Sequence, residues 1–151
     1  MLQARDIMTR QVITIAPQAS VLELARLLAD SRISGVPVVD AEGRVIGVAT
    51  QSDLIDRAKR FDLPHVITIL DAHIFLETPG QFKKKLEKLL GSTVADVMTA
   101  DPITITGNMP VDEIATLMAN KKVHTLPVIE DGKLIGIIGK IDIVRSLSQE
   151  G

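Results

Sequence analysis

Sliding the chain along itself by ninety residues lays it over a second copy of itself. Asp6-Ile7-Met8-Thr9 falls on Asp96-Val97-Met98-Thr99, Ile13-Thr14-Ile15 on Ile103-Thr104-Ile105, and Val36-Pro37-Val38-Val39 on Leu126-Pro127-Val128-Ile129. After a one-residue gap near Glu42, Gly43-Arg44-Val45-Ile46-Gly47 meets Gly132-Lys133-Leu134-Ile135-Gly136, and Asp53-Leu54-Ile55 meets Asp142-Ile143-Val144. Self-similarity at a fixed offset marks a repeat architecture. Each copy is about 50 residues long, too small to bury a comfortable core alone, so the two are expected to fold against each other. The organisation is a first repeat over 1–60, an insert over 61–93 and a second repeat over 94–151.

Both copies read as β-α-β-β-α, which makes the fold class a mixed α/β one of two pseudo-symmetric repeats. Val12 to Ile15 is a β-branched stretch expected to form the first strand. Ser20 with Glu23 three residues on is a capping box, and Val21, Leu24, Ala25 and Leu28 follow at helical spacing. In the second copy Pro110 stands in for Ser20, as suits a first helical turn. Val36–Val39 and Arg44–Ala49 read as the next two strands, and the Asp131-Gly132 pair of copy two is a hairpin signal. Pro37 and Pro127 require positions where no ladder N–H is needed, at a strand start or an edge. Final helices are expected over about Ser52–Lys59 and Ile141–Leu147. In the insert, Leu63 to Leu76 fits helix or strand equally. Phe82, Leu86, Leu89 and Leu90 mark one face of an amphipathic helix, and its lysines Lys83, Lys84, Lys85 and Lys88 are expected to form a solvated face, with docking of an acidic partner the alternative.

Composition narrows the function. A net charge of −2 gives no basic field for nucleic acid. With no cysteine, disulfides and thiolate chemistry are excluded, and a reducing, cytoplasmic setting is the expectation. No apolar run suits a signal peptide or a membrane span. His65, His73 and His124 lack metal-ligand spacing, and no nucleophile elbow, phosphate loop or dinucleotide fingerprint occurs, so the chain does not read as an enzyme. Aromatic residues are only 2% of the chain, so a planar ligand would lie between aliphatic walls.

The Met-Thr openings, the Gly35-Val36-Pro37-Val38-Val39-Asp40 segment and the Gly47-Val48-Ala49-Thr50-Gln51-Ser52-Asp53 run, in order and largely repeated, resemble the CBS domain, named after cystathionine β-synthase. The resemblance covers both copies and leaves the insert outside it. It implies a pseudo-symmetric pair, commonly a homodimer. It further implies a regulatory module that binds an adenosine compound (AMP, ADP, ATP or S-adenosylmethionine) in clefts between the repeats and modulates a partner protein of unknown identity. Carried onto this chain, one cleft joins Thr50 and Asp53 to Met98, Ile103, His124, Thr125 and Leu126. The other joins Asp142 to Met8, Ile13, Ser34, Gly35 and Val36. No metal or other cofactor is implied.

The residue chemistry fits such a role. An aspartate accepts two hydrogen bonds from vicinal ribose hydroxyls, and free N–H groups at a helix start suit a phosphate. Arg32, Lys121, Lys122 and Lys140 are the cations near the clefts. Thr50-x-x-Asp53 is equally a helix cap, so a purely structural role, with the chain a ligand-free dimerisation or interaction module, stays open. Gly139 replaces the threonine in copy two. The Asp53 cleft therefore follows the family pattern more closely and is the preferred site.

Overall fold

The computed structural model describes residues 1–60, 87–89 and 91–150. The alternatives for Leu63–Leu76 lie outside them, as does the helix of the insert apart from Glu87, Lys88 and Leu89. The elements are α1 (Ala4–Ile7), α2 (Val21–Ser31), β1 (Gly35–Val39), β2 (Val45–Thr50), α3 (Gln51–Arg60), α4 (Val94–Val97), β3 (Thr99–Ala100), α5 (Val111–Lys121), β4 (Thr125–Glu130), β5 (Lys133–Gly139) and α6 (Lys140–Glu150). They make two small antiparallel sheets, β1-β2-β3 and β4-β5. No helix among the described residues is long and apolar enough to cross a membrane.

Local chemistry explains most boundaries. The Ser20 hydroxyl accepts the Glu23 N–H at 3.0 Å and starts α2, whose buried stripe is Val21, Leu24, Ala25 and Leu28. Helix α5 begins after Pro110, which stands at the cap position in an extended conformation rather than inside the first turn. Asp131 and Gly132 take positive φ of 51° and 75°, the geometry of a two-residue hairpin between Glu130 and Lys133. The one-residue-longer turn of the first copy is held by Asp40, which accepts N–H groups of Glu42 and Arg44.

One expectation needs correction. The first strand of each copy shrinks to a single parallel bridge, Ile15 with Val38 and Ile105 with Val128. The prolines explain that geometry: Pro37 and Pro127 lie mid-strand on edge strands, not at strand starts. Their carbonyls accept the Ile15 and Ile105 N–H groups at 3.1 and 3.0 Å, and the N–H each proline lacks leaves the ladder short.

The repeats also exchange their opening segments. The Ala4 and Arg5 N–H groups bond to the carbonyls of Met109 and Gly107, and Val111 bonds back to Leu2. Arg5 adds an ion pair with Glu130 at 3.2 Å. Ala4 is wholly buried in the core of the second repeat, among Ile105, Ile114, Leu126, Val128 and Ile138. In the other direction Val94 and Ala95 bond to Ala19 and Pro17, and Val94 is buried with Leu24, Leu28, Val36 and Val38 of the first repeat, where Leu89 also packs. Each exchanged segment ends on a glycine of the sheet it joins: Met98 lies over Gly47 and Met8 over Gly136.

Candidate functional site

The exchange aligns the start of each last helix with the other repeat, and a cavity opens at each junction. The first, about 440 Å³, is lined by Thr50, Asp53, Ile103, His124 and Thr125, with Val48, Asp101 and Lys122 beside them. The second, about 470 Å³, is lined by Asp142, Ile13, Ser34 and Gly35, with Arg32, Ile137 and Arg145 beside them. Ser34, Thr125 and Lys140 line both, so the two cavities adjoin. A third cavity of about 390 Å³ between the hairpin turns contains none of the expected site residues.

Four expected residues do not line these cavities. Val36 and Leu126 are fully buried in the two cores, because alternate strand residues point to opposite faces and theirs is the inner one. Met8 and Met98 are turned onto Gly136 and Gly47 and pack against the cores. Lys121, at the end of α5, lines neither cavity; Arg145, which the sequence reading passed over, lines the second. Its signal was present, since Arg145 follows Asp142 by three residues and so shares its helix face.

The helix starts differ in how much hydrogen-bonding capacity is already used. In the first repeat, the Thr50 N–H and hydroxyl donate to Asp53 Oδ2 at 2.9 and 3.0 Å, and Thr50 Oγ1 accepts the Asp53 N–H at 3.2 Å. The Gln51 N–H goes to the Ser34 carbonyl at 2.9 Å. Of the unsatisfied donors that open α3, only that of Ser52 remains without a bond among the described residues. Burial raises the Asp53 pKa above its ordinary value, and the Thr50 hydrogen bonds work against that rise.

In the second repeat, the Gly139 N–H donates to Asp142 Oδ2 at 2.7 Å, and the Lys140 N–H to the His124 carbonyl at 3.2 Å. With no hydroxyl at Gly139, the N–H groups of both Ile141 and Asp142 stay available. The expectation of free N–H groups is therefore corrected for the Asp53 cleft and holds better for the Asp142 cleft. Both aspartates serve as caps through Oδ2, and both carboxylates border a cavity.

Opposite each aspartate stands an isoleucine of the other repeat's opening, Ile103 or Ile13, the latter 39% exposed. Aliphatic walls, a carboxylate and a helix start form an apolar slot with a few placed polar groups, as small-ligand sites usually do.

A family model described as the CBS domain matches residues 4–60 and 94–149. The chloroplastic CBS domain-containing protein CBSX2 of Arabidopsis thaliana is 29% identical over an alignment of 138 residues that covers 89% of this chain and 58% of CBSX2. The chain thus spans a little over half the length of that relative. An inosine-5′-monophosphate dehydrogenase of Korarchaeum cryptofilum is 29% identical over 93% of this chain, but the match takes in only 23% of that enzyme. A crystal structure of CBSX2 in complex with AMP superposes with a TM-score of 0.74 at 26% identity, over 99% of this chain and 98% of that one. The CBS domain pair of MJ0100, in complex with 5′-methylthioadenosine and S-adenosyl-L-methionine, also gives 0.74, at 25% identity over 100% and 99%. Two matched segments at the two repeats, and a shared fold over the whole length, mean that this chain belongs to the CBS domain family, as a tandem pair.

Proposed function

We propose that the chain is a regulatory rather than catalytic module, which binds an adenosine-containing ligand between its repeats and thereby modulates a partner protein. The observation that carries this is the pair of inter-repeat cavities, each with a helix-capping aspartate facing an isoleucine of the other repeat. In this reading the ribose hydroxyls meet Asp53 or Asp142. The base lies between aliphatic side chains such as Ile103 and Val48, or Ile13 and Ile137. The AMP complex of CBSX2 and the methylthioadenosine and S-adenosylmethionine complex of MJ0100 support the ligand class. Binding would bias the angle between repeats by its differential affinity for the two arrangements.

The module acts as a homodimer in this reading. Ile55 on α3 and Ile141, Val144 and Leu147 on α6 leave apolar side chains about half exposed or more, a cost that pairing would remove. Light scattering at twice 16.3 kDa is the expected result, and a strict monomer would remove dimer geometry from the mechanism. The competing reading, a ligand-free interaction module, draws on the capping role that both aspartates already fill.

A thermal-shift panel with AMP, ADP, ATP and S-adenosylmethionine decides between them. Ligand at a hundred times its Kd adds about 2.7 kcal/mol, or roughly 5–11 °C for a domain of this size. No shift with any of the four at millimolar concentration would sink the sensor reading.

A further inference from the structure

Resting on the adenosine-ligand reading, we propose that the two clefts sort their ligands by charge. The Asp142 cleft takes phosphate-bearing nucleotides, and the Asp53 cleft takes adenosine compounds whose 5′ substituent is neutral or cationic. The lining charges differ in the required sense. Around Asp142 stand three cations, Arg32, Lys140 and Arg145, against one carboxylate. None of the three forms an ion pair with a described residue. Around Asp53 a second carboxylate, Asp101, offsets Lys122 and the shared Lys140. Asp101 is held there by a left-handed backbone (φ 50°) directly before Pro102, a conformation that few residues other than glycine adopt readily.

Backbone donors point the same way. The Thr50 hydroxyl and most N–H groups at the start of α3 are consumed internally, while Gly139 leaves the N–H groups of Ile141 and Asp142 without an internal acceptor, on two residues that line the cavity with the three cations. Arginine forks match phosphate oxygens in pairs, and a helix start adds its dipole. The departure from the family pattern at Gly139 thus gives the second cleft its donors. For phosphate-bearing ligands, the Asp142 cleft thus takes precedence over the Asp53 cleft that the family pattern favours.

Isothermal titration of the full chain with ATP and with 5′-methylthioadenosine, at low and at physiological salt, tests the division. Arg145→Gln and Arg32→Gln are each expected to weaken ATP about tenfold, the size of one lost charge-assisted hydrogen bond, and to leave methylthioadenosine within twofold. Arg145→Lys is expected to recover part of the ATP affinity, and added salt to weaken ATP alone. Asp53→Ala is expected to remove methylthioadenosine binding and spare ATP. Urea midpoints by far-UV circular dichroism verify that each variant is folded. ATP binding that is indifferent to both arginines, or that is lost with Asp53→Ala and kept with Asp142→Ala, overturns the charge division while leaving the adenosine reading intact. Failure of one compound alone to bind the unmodified chain overturns the charge division, and failure of both overturns the adenosine reading with it.

Discussion

Gly47→Ala tests whether the exchanged segments hold the cleft in shape. A Cβ at Gly47 would lie 2.6 Å from Met98 Sδ, 3.1 Å from Met98 Cγ and 3.0 Å from the Thr99 carbonyl oxygen. The methionine end swings aside at little cost. The carbonyl does not, because Thr99 and Ala100 are paired with Val48 and Gly47 in the sheet. Overpacking of a closed site costs about 1–3 kcal/mol. Replacing glycine returns about 0.4–1 kcal/mol through the less flexible unfolded chain. At the middle of those ranges the net expectation is a loss of about 1.3 kcal/mol, or roughly 3–5 °C in Tm.

The chain that must move continues through Asp101 to Ile103, so affinity at the Asp53 cleft should fall with stability. With no tryptophan or tyrosine in the chain, urea unfolding is best followed by far-UV circular dichroism. Met98→Ala supplies the cycle: it should cost less in the Gly47→Ala background, with a coupling of at least about 0.5 kcal/mol. Gly43→Ala is the control, a strained turn position (φ 80°) with nothing within 4 Å, and should destabilise without affecting the cleft. A Gly47→Ala protein within about 0.5 kcal/mol of the parent, or an additive cycle, would refute the account.

Other outcomes follow from the same geometry. The folded state holds the Asp53 proton more tightly than the unfolded chain does, so the stability it lends is present at acid pH and lost as pH rises through its raised pKa, above the ordinary 3.8. Asp96, whose pKa is lowered chiefly by the Thr93 N–H, does the reverse, its contribution fading as pH falls below 3.8. Urea midpoints from acid to neutral pH should therefore show Asp53→Asn gaining on the parent and Asp96→Asn losing ground. Opposite slopes would contradict the burial argument. Ser20→Ala should cost about 1 kcal/mol in the same assay, since it leaves the Glu23 N–H uncapped. Gly35→Ala would bring a Cβ to 2.7 Å from Thr125 Oγ1 and 2.9 Å from Thr50 Cγ2, where the cavities adjoin. It should weaken ligand-induced thermal shifts at both clefts, and Thr125→Gly should restore them. Leu28→Ala, in a core that leaves it 2% exposed, should cost about 2–5 kcal/mol by chemical denaturation.

The parts of the fold legible in the sequence were those set by local chemistry. The Ser20 cap, the Asp131-Gly132 hairpin and the stripe of α2 each need only a few neighbouring residues. The exchange of opening segments was not legible. Asp6–Thr9 and Asp96–Thr99 are so alike that sequence cannot say which copy each docks on; that depends on chain path and on the Met8–Gly136 and Met98–Gly47 fits. The strand expected at Val12–Ile15 failed for a related reason, since β-branched residues need a partner with donors and Pro37 supplies only a carbonyl. At the site, residue identity was easier to read than hydrogen-bond use. Thr50 and Gly139 were seen to differ, but that the hydroxyl would consume a helix-start donor, and the glycine release one, required coordinates.

The exchange also has a consequence for folding. Neither core closes until a segment from the other half arrives: Ala4 completes the second and Val94 the first. The docking hydrogen bonds span 102–105 positions for Ala4 and Arg5 and 75–78 for Val94 and Ala95, so they are entropically late events, and a transition state with one finished repeat and one unformed repeat is disfavoured. A half expressed alone would carry an opening helix with nowhere of its own to dock and a groove with nothing in it. Its remedy is a second identical half, each lending its first turn to the other across a true two-fold axis. The tandem chain is, in that sense, a dimer whose subunits have been joined, and its two clefts sit where that dimer's symmetry-related seams would be.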